Sequence, residues 1–201
     1  MAKRMTSQMS VNLSKGGLEQ AQKARTGKDL PPVHLWNPPF CGDLDMQIKR
    51  DGSWVHEGGK INRPEMVRLF SSILKKEGDV YFLVTPVEKV GITVEDAPFA
   101  AVDLDVFDND GAQTLVFTTQ VGDEVEANVD HPIRFEQNEA SEQPAVYVMV
   151  RAGLEARLDR KSFYRLIDLG VEQEHEGTRM FGVTSGDVFF PLVPVEALYE
   201  S

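Results

Sequence analysis

The chain repeats part of itself. Ile61-Asn62-Arg63-Pro64-Glu65-Met66-Val67-Arg68-Leu69-Phe70 returns as Leu158-Asp159-Arg160-Lys161-Ser162-Phe163-Tyr164-Arg165-Leu166-Ile167. In both copies an apolar residue, an Asn or Asp suited to capping a helix, and an Arg come first, and apolar-x-Arg-Leu-apolar follows in register. Met66, Leu69, Phe70, Ile73 and Leu74 fall at i, i+3, i+4, i+7 and i+8, the spacing of one buried helical stripe. Phe163, Leu166, Ile167 and Val171 repeat it. The echo predicts an α+β fold of two similar halves, each a mainly antiparallel sheet with one helix, in the repeating order strand, strand, helix, strand. Architecture of this kind carries many functions, so function has to be read from a site.

Two hundred and one residues suffice for two small units with real cores. The 32 acids against 21 bases leave a net charge of −11. Six of the bases and two of the acids lie in residues 1–30, so the rest holds 15 bases against 30 acids, a net of −15. Such a body repels phosphate backbones, so no nucleic-acid partner is expected. One cysteine, Cys41, cannot close an internal disulfide, which points to the cytoplasm. The start is polar through Ser10, without the apolar core of a signal peptide, and no stretch reaches the roughly 20 apolar residues of a membrane span. No membrane partner is expected.

Residues 1–30 are polar and read as a flexible tail with a short helix near Leu18–Arg25. Residues 31–98 read as an N-terminal α+β unit that opens with a proline-rich strap, Pro31 to Gly42, anchored by Leu35, Trp36 and Phe40. Leu44, Met46 and Ile48 alternate toward Asp51-Gly52, a dipeptide suited to a two-residue hairpin turn. That turn would set Ile48 against Val55 and place Trp54 and His56 on the opposite face; a longer loop would swap the faces. Asn62 reads as a cap with Glu65 completing a capping box, and the helix is expected to end near Lys75-Lys76. Val80–Thr85 reads as a buried strand stopped by Pro86.

Residues 99–201 read as a C-terminal, β-rich α+β unit carrying the second copy of the motif. Strands are expected at Ala101–Phe107, Gln113–Thr119, Glu124–Val129 and Ile133–Phe135, a polar loop over Glu136–Pro144, and a hairpin of Ala145–Arg151 and Leu154–Arg157 across Ala152-Gly153. Asp159 should cap the second helix, ending about a turn sooner than the first because Gly170 stands in the place of Ile73. Arg179–Thr184 and Asp187–Leu192 complete the strands.

Several unusual strings occur in order: Pro32-Val33-His34-Leu35-Trp36-Asn37-Pro38, Trp54-x-His56-Glu57-Gly58, Arg63, Leu83-Val84-Thr85-Pro86-Val87-Glu88-Lys89 and Glu95-Asp96-Ala97-Pro98-Phe99. From residue 31 onward they resemble an uncharacterised bacterial family, domain of unknown function 1285. The resemblance implies an α+β fold of two similar halves, a cytoplasmic bacterial protein and a connection to signal transduction. It implies no catalytic residues.

The residues that invite chemistry mostly read more simply. His34, His56, His131 and His175 share no metal-ligand spacing, and His56-Glu57 lacks the second histidine of a zinc-protease helix. Asp103, Asp105, Asp108 and Asp110 miss the calcium-loop register and read as an acidic hairpin tip. No metal is expected. Cys41 would need a base supplied by the fold, and no nucleophile elbow or phosphate-binding glycine loop is present, so no cofactor is expected. Arg63 and Arg160 begin equivalent helices and could bind an anion or pair with the acidic sheet. The turn Thr85–Lys89 presents Thr85, Glu88 and Lys89 together, either to a ligand or as an internal ion pair.

The expected site thus gathers Trp36, Asn37, Trp54, His56, Arg63, Thr85, Glu88 and Lys89, with Trp36 on the strap covering Trp54. The function it suggests is a non-enzymatic regulatory or ligand-sensing protein, with a small polar ligand or a protein as partner and a homodimer open. A small-molecule hydrolase using Asp, Glu or His on the loops around that turn is one alternative. An acidic protein-interaction module is the other.

Overall fold

The computed structural model describes residues 13–24, 29–109, 111–137 and 144–198. Most of the expected tail, Asp110 and most of the polar loop after Glu136 lie outside them. The chain divides into two compact units, one taking the chain up to Lys49 with Ser53–Glu95, the other Arg50–Gly52 with everything from Asp96 on.

In the first unit, α1 (Lys15–Lys23) precedes a 3-10 turn at Val33–Leu35, then β1 (Phe40–Ile48), β2 (Trp54–His56) and β3 (Gly59–Lys60). After α2 (Pro64–Ser72) come β4 (Leu74–Glu77), β5 (Val80–Val84) and β6 (Lys89–Val94). They form one sheet in the order β3-β2-β1-β6-β5-β4, antiparallel throughout except where β1 runs parallel to β6. Ile48, Trp54, Ile73, Leu83, Val84 and Val90 are buried at its core.

Where the sequence suggested a two-residue turn, the β1–β2 loop is longer. The Lys49 amide donates to the Ser53 carbonyl, which leaves Arg50-Asp51-Gly52 as the loop, with Gly52 at φ +78°. The register becomes Ile48 opposite Trp54 and Gln47 opposite Val55. Cross-strand partners share a face, so Trp54 joins Ile48 in the core instead of facing away from it. Its indole stacks on Phe70 of α2 at 6.1 Å and 24°.

The helix also starts and stops differently from expectation. Arg63, not Asn62, is the N-cap, it makes no side-chain cap, and Pro64 takes the first helical position. The helix ends at Ser72, where the Ser71 and Ser72 hydroxyls bond the carbonyls of Arg68 and Leu69. Such back-bonding competes with helix continuation. Lys75 and Lys76 therefore sit in β4, opposite Phe82 and Tyr81.

The second unit holds β7 (Phe99–Asn109), β8 (Ala112–Thr119), β9 (Glu124–Glu126), β10 (Ile133–Glu136), β11 (Ala145–Arg151) and β12 (Leu154–Leu158). Then follow α3 (Arg160–Asp168), β13 (Val171–His175), β14 (Thr178–Ser185) and β15 (Val188–Pro194). The first six strands form a sheet in the order β10-β11-β12-β7-β8-β9, and the last three form a separate antiparallel sheet. Again one pair is parallel, β7 with β12, and the rest are antiparallel.

The two halves are similar, each a mixed sheet of six strands with the repeat-bearing helix. Each sheet is two three-stranded meanders joined where the first strand runs parallel to the last. The helix is placed differently: α2 links the meanders of its sheet, whereas α3 follows its sheet and leads into β13. Both helices have nine residues, so the second does not lose a turn, and Val171 belongs to β13. α3 is capped as expected, Asp159 Oδ1 accepting from the Ser162 amide at 2.7 Å. It lies on β7, where Lys161 and Arg165 reach Asp103 at 3.1 and 2.7 Å.

Candidate functional site

Several residues singled out from sequence in the first unit make contacts within it. Thr85 is buried, and its hydroxyl accepts from the Glu88 amide at 3.2 Å while its own amide donates to the Glu88 carbonyl at 2.9 Å. The Glu88 carboxylate accepts from both the amide and the hydroxyl of Ser14, each at 2.8 Å. Ser14 in turn is the N-cap of α1, its hydroxyl accepting from the Gly17 amide. Gly17 is buried, and a Cβ there would strike the Glu88 carboxylate. The turn is thus a dock for α1, a helix in a region read from sequence as a tail.

Lys89 pairs with Glu77 at 2.9 Å and lies over the Phe82 ring at 4.8 Å. Lys75 reaches the same carboxylate at 3.1 Å, and the hydrogen bonds from the two lysines hold Glu77 below the usual carboxylate range. The internal-pair reading of this turn is the one its geometry carries. Trp54 is 1% exposed and in the core. Trp36 is half-buried and its carbonyl accepts from Lys75, so the strap is tied to β4 instead of roofing Trp54. His56 is half-buried at the end of β2, while Asn37 and Arg63 are exposed. Cys41 is exposed in β1.

A recess lies in the second unit, where β12 gives way to α3. β12 ends at Leu158, paired with Ala101, whereas its parallel neighbour β7 continues to Asn109. Past that point Asp159, whose amide still donates to the Ala101 carbonyl at 2.9 Å, leads into α3, which packs on β7. The cleft has a volume of about 860 Å³. Its apolar lining comes from Ala100 and Val102 of β7, Val146 of β11, and Phe163 and Tyr164 of α3, with Pro144 beside them. Among the described residues, Arg50, Asp51, Arg157, Asp159 and Arg160 supply its charge.

A hydrogen-bonded group beneath the cleft fixes part of that charge. Arg157 pairs with Asp96 at 2.7 Å, Arg50 approaches the same carboxylate at 3.5 Å, and the Tyr147 hydroxyl donates to it at 2.8 Å. Burial, and then the hydrogen bond to Asp96, push the Tyr147 hydroxyl far above its ordinary pKa, so it remains a donor. Arg160 differs. Its guanidinium lies over the Tyr164 ring at 5.7 Å, and among the described residues it makes no ion pair.

Family models match both halves: residues 31–97 fit the N-terminal domain of the family described as domain of unknown function DUF1285, and residues 98–192 fit its C-terminal domain. The chain belongs to the DUF1285 family. The crystal structure of a DUF1285 family protein from Silicibacter pomeroyi DSS-3 is 58% identical, with a TM-score of 0.79 over 90% of this chain and 97% of that one. A second DUF1285 crystal structure, from Shewanella baltica OS155, is 29% identical over 62% of this chain and 91% of that one, with a TM-score of 0.49. No curated protein matches the chain. The DUF1285 homologues are bacterial, and the family description assigns no activity. Among the described residues of this DUF1285 protein no helix is long and apolar enough to cross a membrane.

Of the cleft residues, sequence reasoning had marked only Arg160, as a helix-start arginine of open role. Tyr164 carried a signal in hindsight: within the echo it stands where Val67 stands, a ring on the half-exposed side of an amphipathic helix. Arg50, Val102 and Pro144 carried none, because nothing local shows that they meet.

Proposed function

We propose that this DUF1285 protein is a non-enzymatic, ligand-sensing protein whose binding site is the cleft where β12 gives way to α3. The observation that carries the reading is the composition of that cleft. About 860 Å³ of space is lined by apolar and aromatic side chains with a few charged groups, the combination that binds small molecules. Among the described residues its lining contains no Ser, Thr, Cys, His or Lys, which leaves out the commonest nucleophile and base pairs. Binding, not bond breaking, is the chemistry such a surface suits. A cytoplasmic role in signal transduction agrees with this reading, the ligand being the signal.

The test is mass spectrometry of the native protein, wild type and Val102→Trp. Val102 is 38% exposed, so the larger side chain fills the cleft without entering the core. A small molecule that accompanies the wild type and is lost from a normally melting Val102→Trp supports the site. A molecule retained equally by both places binding elsewhere.

A further inference from the structure

We infer that the cleft recognises a monoanionic organic acid with an apolar, ring-sized body, an aryl carboxylate in chemical class. The inference rests on reading the cleft as a ligand site, and it follows from how the charges there are matched.

Among the described residues of the lining, three arginines stand with two aspartates. Arg157 and Arg50 are both directed at Asp96, so their charge is largely answered from within the protein. Asp159 is engaged as the cap of α3 through the Ser162 amide. Arg160 is left with an exposed guanidinium and no carboxylate among the described residues. In a chain of net charge −11, a guanidinium without an acidic partner among the described residues, beside an apolar recess, is a local exception. Its planar fork matches a carboxylate, and the rings beside it match a flat body.

The same surroundings limit the anion. Asp159 adjoins Arg160 in the chain, so a doubly charged group such as a phosphate monoester on Arg160 would set its second charge against a neighbouring carboxylate. A single negative charge fits. Tyr164 is 53% exposed, and its ring meets Phe163 edge-on at 5.6 Å. With Val102 they leave an apolar surface that a ring-bearing ligand would cover.

Titration of the full chain with phenylacetate, 2-phenylethanol, 2-phenylethylamine and phenyl phosphate, followed by ligand-observed NMR, tests this. The body is constant and the head group varies. Phenylacetate is expected to bind most tightly, and Arg160→Gln to weaken it roughly tenfold while leaving 2-phenylethanol unaffected. Arg160→Lys, which keeps the charge and loses the fork, should fall between. Equal binding of the alcohol or amine, preference for the phosphate, no binding of phenylacetate, or indifference to Arg160→Gln overturns the acid class. In each of those cases the cleft reading is judged separately by Val102→Trp. Phenylacetate binding that survives Val102→Trp unchanged removes the cleft itself and the inference with it.

Discussion

Glu88 holds Ser14 at two points, its carboxylate accepting from the backbone amide and from the hydroxyl at 2.8 Å each. The contact joins residues 74 positions apart and fixes the amino end of α1 on the Thr85–Lys89 turn. Charge-assisted bonds at a partly exposed site contribute about 1 kcal/mol. Glu88→Ala should therefore lower the melting temperature, and so should deletion of residues 1–24, which also uncovers the contact made by the buried Ala21. In the shortened chain Glu88→Ala should have almost no further effect. Thermal melts of the four proteins check this; equal losses in long and short chains would mean that Glu88 acts through another partner.

Trp54 offers a sharper contrast between shape and polarity. It is buried against Phe70, yet among the described residues its indole N–H has no hydrogen-bond partner. Trp54→Ala should cost about 3–5 kcal/mol as a large core truncation. Trp54→Phe keeps a ring against Phe70 while losing part of the indole volume and a donor with no partner among the described residues, so its cost should be clearly smaller, about 1–2 kcal/mol. Chemical denaturation measures both, and similar losses would refute the assignment of Trp54 to packing.

How much of this was legible in the sequence depends on whether the deciding contact was local. The helix-bearing echo and the Ala152-Gly153 turn were readable, and the latter has both residues at positive φ, 45° and 76°, as a two-residue turn of that type demands. Asp51-Gly52 looked equally suited and forms a different loop. Gly52 is buried, its carbonyl accepts from Gln120 at 3.4 Å, and a Cβ there would lie 3.0 Å from Ala100. Those contacts join residues about fifty to seventy positions apart, and the Ile48–Trp54 register depends on the loop they hold. β13, with Glu172, Gln173 and Glu174 exposed, has no apolar alternation to announce it and is defined by pairing with β14. The cleft is the extreme case, since it draws on residues from 50 to 164 that nothing local brings together.

Glu77 gives a pH dependence with a definite sign. Its carboxyl is held below the ordinary 4.5 by hydrogen bonds from Lys89 first and Lys75 second. A carboxyl depressed in the folded state stabilises above its unfolded pKa and loses that contribution as pH falls through the lower, folded value. Wild type should exceed Glu77→Gln in stability at neutral pH, by no more than about 1 kcal/mol because the Glu77 side chain is 37% exposed. The difference should vanish in acid. Melts across pH 3–7, on the order of the titration range of a carboxylate, read it directly; a gap that widens in acid would reverse the assignment.

Tyr147, Asp96 and Arg157 form the group that holds one side of the cleft, and its members should prove interdependent. Asp96 is 15% exposed at its side chain and accepts from Tyr147 at 2.8 Å and Arg157 at 2.7 Å. Burial, and then the hydrogen bond to Asp96, raise the Tyr147 hydroxyl well above its ordinary range, so it donates throughout the neutral range. Tyr147→Phe leaves Asp96 one donor short and should cost about 1 kcal/mol. Asp96→Asn removes the charge opposite Arg157 and should cost about 2–3 kcal/mol, because a half-buried guanidinium then faces an amide. Since the first substitution damages the bond that the second also weakens, the double variant should be less destabilised than the sum, by a coupling of about 0.5–2 kcal/mol. Denaturation of the four proteins measures the coupling. Strict additivity would show that Tyr147 is buried for its ring alone and that Asp96 positions Arg157 without it.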